Sequence, residues 1–264
     1  MVAALVLAGA GVAVFGGSST KVTPPTAPSA TAPAARQLLR AALAAATRAD
    51  SFHYVATSTV SGPDGYSQRT VGDAGPDSGR QVITIGSQRF TVLVVGTACY
   101  VSGNAPALTA QLGLSSSEAA AHAGQWISLA TTDPPYASVY AAVTAPSALA
   151  DNITVAPKDQ LPRTRVDGRR VETISGAITP IEIDGQKVAP KGTAALAVRV
   201  RAPHLPVRYT QKATVNKQPS VSAVAFNRWG ETVSVAAPTG AVAYSSLGAG
   251  SGTTPSTPGS PVLT

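Results

Sequence analysis

Turn signals recur through the first half of the chain at strand-length intervals: Gly62-Pro63-Asp64-Gly65, Gly75-Pro76-Asp77-Ser78-Gly79, Gly86-Ser87 and Gly96-Thr97. The runs between them, Phe52 to Ser61, Gln68 to Ala74, Gln81 to Ile85, Arg89 to Val95 and Ala98 to Val101, are rich in β-branched and aromatic residues. Short runs closed by tight turns pair with their sequence neighbours, so this half predicts an antiparallel meander. Strand-like runs resume at Ile153 to Ala156, Arg163 to Val166, Arg169 to Ile174, Thr193 to Arg201, Pro206 to Lys212, Ser220 to Phe226 and Thr232 to Ala236, with Asp167-Gly168 as a hairpin turn.

Helical signals flank and interrupt the strands. From Ala34 to Asp50, Leu38, Leu39, Ala42, Leu43 and Ala46 fall on one stripe at helical spacing. Between Gln81 and Leu129 the sheet passes into a cover: Leu108, Leu112 and Leu114 mark a short helix, and Ser115 with Glu118 forms a capping box opening a second one to Ala123. Trp126 and Ile127 return as an extended piece. Tyr136 to Ala142 and Ala145 to Ala150 read as helices, with Pro134, Pro135 and Pro146 near their starts. The order predicts an α+β fold, a strongly curved antiparallel sheet or half-barrel with helices laid over its concave face.

The ends have a different composition. Val2 to Gly17 is an uncharged apolar run, about 24 Å long as a helix, short of a roughly 30 Å hydrocarbon core but ample for the apolar region of a signal peptide. Residues 1–19 are therefore expected to be a signal peptide or membrane anchor, although no Arg or Lys precedes the run. A Pro/Thr/Ala linker over 20–34 and a Gly/Ser/Thr/Pro tail over 246–264 bracket one folded unit at 35–245. Gly9, Gly11 and Gly16 lack the spacing and the second strand of a dinucleotide site.

The formal charge of +7 raises nucleic acid as a partner. Yet Arg163, Arg165, Arg169, Arg170, Arg199, Arg201 and Arg208 are scattered among Val, Thr and Pro, which places cations on the solvent face of strands, and aromatics are only 5% of the chain. Nucleic-acid binding is not expected, and a mild attraction to anionic surfaces is only the less remote of the two readings. The single cysteine, Cys99, excludes an internal disulfide and reads as a small buried hydrophobe. His53, His122 and His204 lie far apart, and no GxSxG elbow, HExxH or paired Cys/His spacing is present, so neither an enzyme nor a cofactor or metal is expected. Trp126 and Trp229 read as packing anchors.

With the whole order in view, SFHYVATSTV after the first helix, VVGTACYVSGN, AGQWISL, ALAVRVRAPHLPVRYT and VAFNRWGETVSVAAP resemble the LppX/LprAFG-type lipoproteins of actinobacteria. The resemblance covers nearly all of residues 35–240. It implies the curved sheet and helical cover of the LolA/LolB carriers, with an apolar cavity between them that takes acyl chains of lipids or lipoglycans. One feature departs from it. Where the family carries a lipidated cysteine after Leu-Ala-Gly, this chain has Ala10 after Leu7, Ala8 and Gly9, so anchoring by that route is not expected.

The expected function is thus an exported lipid or lipoglycan carrier, a monomer at the outer face of the cell membrane or secreted, working beside a membrane transporter or envelope protein. Cavity-lining candidates are Leu39 and Leu43 of the first helix, Phe52 and Tyr54, Phe90, Val92 and Val94, Tyr100, and Leu108, Leu112, Tyr136 and Tyr140 of the cover. An acyl chain gains about 0.8 kcal/mol per buried CH2, so ordinary apolar side chains suffice for such a site. The same side chains read more readily as plain core between sheet and helices. The competing expectation is a solid, non-enzymatic structural or sensory surface domain acting through a protein partner.

Overall fold

A computed structural model describes residues 31–63, 65–144, 149, 153–179, 181–183, 186–188, 191–215 and 218–247. The expected signal or anchor, and most of the linker and of the tail, lie outside these residues. The first helix, α1, spans Thr31–Ala49, and five strands follow without interruption: β1 (Phe52–Val60), β2 (Tyr66–Ala74), β3 (Ser78–Ile85), β4 (Gln88–Val95) and β5 (Ala98–Gly103). Each pairs antiparallel with the next, as the turn signals require. Then come α2 (Ala105–Leu112), α3 (Ser116–Ala121), β6 (Ile127–Leu129) and α4 (Tyr136–Val143). The second half supplies β7 (Val155–Val166), β8 (Arg169–Ile178), a small separate hairpin of β9 (Ile181–Ile183) and β10 (Gln186–Val188), β11 (Lys191–Arg199), β12 (Pro206–Val215), β13 (Gln218–Asn227) and the short β14 (Val242–Ala243).

The strands form one open, curved sheet of 12 in the order β14-β6-β5-β4-β3-β2-β1-β13-β12-β11-β8-β7. The two meanders meet where β1 pairs with β13, His53 opposite Asn227 through Val60 opposite Ser220. Every long pairing is antiparallel; only β14 runs parallel to β6.

Local chemistry sets the cover. Asn104 caps α2 by accepting from the Ala107 amide, and Gly113 ends it at φ 70°, a left-handed turn that favours glycine. Asn104 also donates to the Ser87 carbonyl at 2.7 Å and accepts from the Arg89 amide, fixing the start of α2 to the β3–β4 hairpin. The capping box is present at α3, where Ser115 and Glu118 satisfy each other's backbone amides. Helices α2 and α4 pack over β3 to β5, and α1 packs over β7, β8 and β12.

Two details differ from the sequence pattern, and a third expectation lies, Leu149 apart, outside the described residues. The separate runs expected at Ile153 to Ala156 and Arg163 to Val166 are joined in one long strand, β7, whose register against β8 shifts between Pro157 and Asp159 and between Leu161 and Thr164. Of the helix expected over Ala145 to Ala150, only Leu149 is among the described residues, and it is buried. Thr232 to Ala236 alternates like a strand but joins no ladder. After β13 the chain turns through Arg228 and runs as a strap beside the β1 to β4 ends until β14. Side chains hold it: Ser51 Oγ donates to the Glu231 carbonyl at 2.7 Å and Ser78 Oγ to that of Val233 at 3.4 Å.

Candidate functional site

Strand alternation divides the sheet into a face under the helices and an outer face. Under the helices the apolar side chains fall into two clusters. One joins Leu38, Ala42 and Ala46 of α1 to Phe52, Tyr54, Leu196, Tyr209 and Phe226, and the other joins Phe90, Val92, Val94 and Val101 to Leu108, Leu112 and Leu114. The aromatic rings of Phe52, Phe226 and Trp229 pack edge-on and tilted at centroid distances of 4.9 to 5.8 Å, closing the first cluster at one end.

The sequence candidates distribute over this face as follows. Phe52 and Tyr54 are buried in the first cluster, and Leu39 is half-buried against it. Phe90, Val92, Val94, Leu108 and Leu112 are buried in the second, with Tyr136 and Tyr140 stacked on each other against it at 5.8 Å. Leu43 is half-buried outside both clusters. Tyr100 lies on the outer face opposite Leu93 in the β4–β5 pairing, because its neighbours Cys99 and Val101 take the inward positions of β5. The sheet and its helices therefore bring ten of these twelve side chains together in two groups, with Leu43 of α1 outside both and Tyr100 on the opposite face.

Between the groups runs a polar seam that sequence reading missed. Gln81 is 1% exposed, and its Oε1 accepts from the Tyr54 hydroxyl at 2.8 Å. Its Nε2 is buried without a hydrogen-bond partner. Thr70 is buried beside it in the register, opposite Ile83. Glycine makes the seam possible: a Cβ at Gly72 would meet the Tyr54 ring at 2.5 Å, and one at Gly79 the Val143 side chain at 2.7 Å. The signal was available in the sequence, since Gln81 is in phase with Ile83 and Ile85. Burial pushes the Tyr54 phenol far above its ordinary range, with the Asp73 charge adding to it, so the hydroxyl stays a donor. Burial likewise raises the Cys99 thiol to about 11, which suits the small-hydrophobe reading.

The outer face carries a cleft of about 540 Å³ between the strap and the β1 to β4 ends, lined by His53, Asp73, Arg80, Leu93 and Trp126 against residues 231–236. Asp73 Oδ1 stands 2.7 Å from both His53 Nδ1 and Arg228 Nη2, tying strap to sheet. Among the described residues no group of His, Cys, Asp or Glu is placed to hold a metal, and no helix is long and apolar enough to cross a membrane.

No protein-family model matches the chain, and no curated protein matches it. Solved structures do. The lipoprotein LppX of Mycobacterium tuberculosis superposes with a TM-score of 0.50 at 16% identity, over 77% of this chain and 99% of LppX. The chain shares the LppX fold. A LolA-superfamily protein of Nitrosomonas europaea is similar at a TM-score of 0.29 and 14% identity, covering 76% of this chain and 94% of that one. The Pseudomonas aeruginosa MucA/MucB complex is similar at 0.34 and 15%, covering 81% and 60%. The split of the covered face into two apolar groups is thus set within the curved sheet of the LppX fold.

Proposed function

We propose that the protein is an exported, non-enzymatic carrier that holds the acyl chains of a lipid or lipoglycan between its sheet and helices, as a monomer, at the outer face of the cell membrane or released from it. The seam at Gln81 carries this reading. A buried amide N–H left without an acceptor costs about 1–3 kcal/mol, and such a group in a native core calls for a reason. An acyl ester or amide carbonyl lying in the seam would accept from Gln81 Nε2, while its hydrocarbon ran between the two apolar groups. The helices that would part to admit it, α1 on one side and α2 to α4 on the other, attach to different halves of the sheet. LppX is named a lipoprotein, and its fold is the one this chain adopts.

Native mass spectrometry of the purified full chain, with extraction of bound lipid, tests the proposal. Acylated species carried by the protein, or taken up from a lipid extract, are the expected result. A chain that emerges empty and takes up none would sink it, and would favour the second reading, a solid surface domain acting through a protein partner. That second reading draws on the close packing of both apolar groups, where Tyr54, Leu108 and Val92 are fully buried.

A further inference from the structure

In sequence the arginines of the second half are dispersed, but sheet pairing gathers them at one corner. The β7–β8 hairpin carries Arg163, Arg165, Arg169 and Arg170, and the adjoining ends of β11 and β12 carry Arg199, Arg201 and Arg208. The pieces are joined: the Val200 amide donates to the Arg170 carbonyl at 3.1 Å, and Arg208 Nη2 lies 3.7 Å from Asp167 Oδ1 in the hairpin turn. Only two carboxylates, Asp167 and Glu172, accompany these seven arginines there, with Arg163 Nε 2.6 Å from Glu172 Oε1. Most of the chain's net charge of +7 is therefore concentrated at one corner.

The arrangement opposes folding in three ways. Arg165 stands directly opposite Arg170 in the ladder, a like-charge pair that destabilises a sheet. Arg199 Nε is buried without a hydrogen-bond partner. Desolvation, and then the like charge of Arg169, lower the pKa of Arg199, so the ionised guanidinium is disfavoured at that position. Anionic groups from outside the protein would relieve all of this. The corner comprises the β7–β8 hairpin tip and an adjoining loop, with His204 the one aromatic ring in the 200–205 loop. A single-stranded nucleic acid would need stacking platforms that the tip lacks, whereas a layer of lipid phosphates needs only charge.

We propose that this corner docks the protein on an anionic phospholipid bilayer. The surface potential of such a bilayer draws in each nearby arginine, worth roughly a five-fold gain in partition per residue at low salt. Docking is separable from acyl carriage, because it concerns where the protein sits and not what it holds.

Co-sedimentation of the full chain with vesicles tests this. Binding is expected to vesicles of phosphatidylcholine containing one third phosphatidylglycerol, to be absent from pure phosphatidylcholine, and to fall steeply as sodium chloride rises. Arg165→Gln, Arg169→Gln, Arg170→Gln and Arg201→Gln together should lower partition by on the order of several hundred-fold, while the four corresponding Arg→Lys changes should retain it. Should the glutamine variant fail to fold, the salt dependence of the unmodified chain and the lysine variant decide the matter. Equal binding to neutral vesicles would assign attachment to the apolar run at Val2 to Gly17 and overturn the proposal. So would unchanged binding by a folded glutamine variant, or tighter binding to duplex DNA than to the anionic vesicles at matched phosphate concentration.

Discussion

The Tyr54–Gln81 pair makes a prediction with an unusual sign. In the native fold the pair forms one good bond, at 2.8 Å, and leaves the amide NH2 buried and unpaired. A neutral buried bond contributes about 1 kcal/mol net, whereas an orphaned buried donor or acceptor costs about 1–3 kcal/mol. Tyr54→Phe removes the donor and leaves both ends of the amide unpaired, so it should destabilise by about 1–3 kcal/mol. Gln81→Met keeps the length of the side chain and removes the orphan N–H, but strands the Tyr54 hydroxyl; the two effects nearly cancel. The double variant removes every polar group at once and should be more stable than the parent by up to about 2 kcal/mol, with a coupling that only a cycle reveals. Urea unfolding of the four proteins with unchanged m-values measures this. If the double variant is less stable than both single variants, Gln81 Nε2 is satisfied in solution or its packing outweighs its polarity, and the seam argument fails. Gln81→Met should also lower acyl-lipid uptake without loss of stability, because the N–H that would donate to the acyl carbonyl is gone.

Three further outcomes follow from the same geometry. Val92→Trp and Leu43→Trp should each reduce lipid uptake measured by native mass spectrometry while circular dichroism stays native; unfolding of both would assign those side chains to solid core. The Cys99 thiol, protonated in the fold to about pH 11, should resist a thiol-specific reagent at pH 8 until urea unfolds the chain. Its folded value lies above the unfolded one of 9.0, so the folded state holds more protons between those values and stability should fall as pH rises from 9 to about 11; a Cys99→Ala chain should show a shallower fall, and an equal one would refute the assignment. Ser115→Ala removes the acceptor for the Glu118 amide and the hydroxyl donor to its carboxylate, leaving only the Ser115 backbone amide on that carboxylate, and should lower stability by about 0.5–2 kcal/mol, read from the urea midpoint.

The sequence by itself determined the units of this fold. Turn residues such as Gly86-Ser87 and Asp167-Gly168 act over a few positions, and so do the helix-period stripe of α1 and the Ser115–Glu118 box; each was legible because its energetics are local. The same holds for the face on which most candidate side chains of the strands lie, since period-two alternation decides which residues of a strand share a face. Tyr100 escaped that logic only because Cys99 and Val101, on either side of it, are the inward pair. Pairing between distant segments belonged to the tertiary structure alone. The contact of β1 with β13 places Arg228 beside His53 and Asp73, residues more than a hundred positions away, and sends Thr232 to Ala236 along the strand ends instead of into a ladder. The pairings of β1 with β2 and of β2 with β3 set Tyr54 over Gly72 and against Gln81, and those of β8 with β11 and of β11 with β12 turn dispersed arginines into one charged corner. Such contacts depend on register across the whole sheet, which no short window of sequence contains, because a shift of one residue in any ladder would carry every side chain to the opposite face.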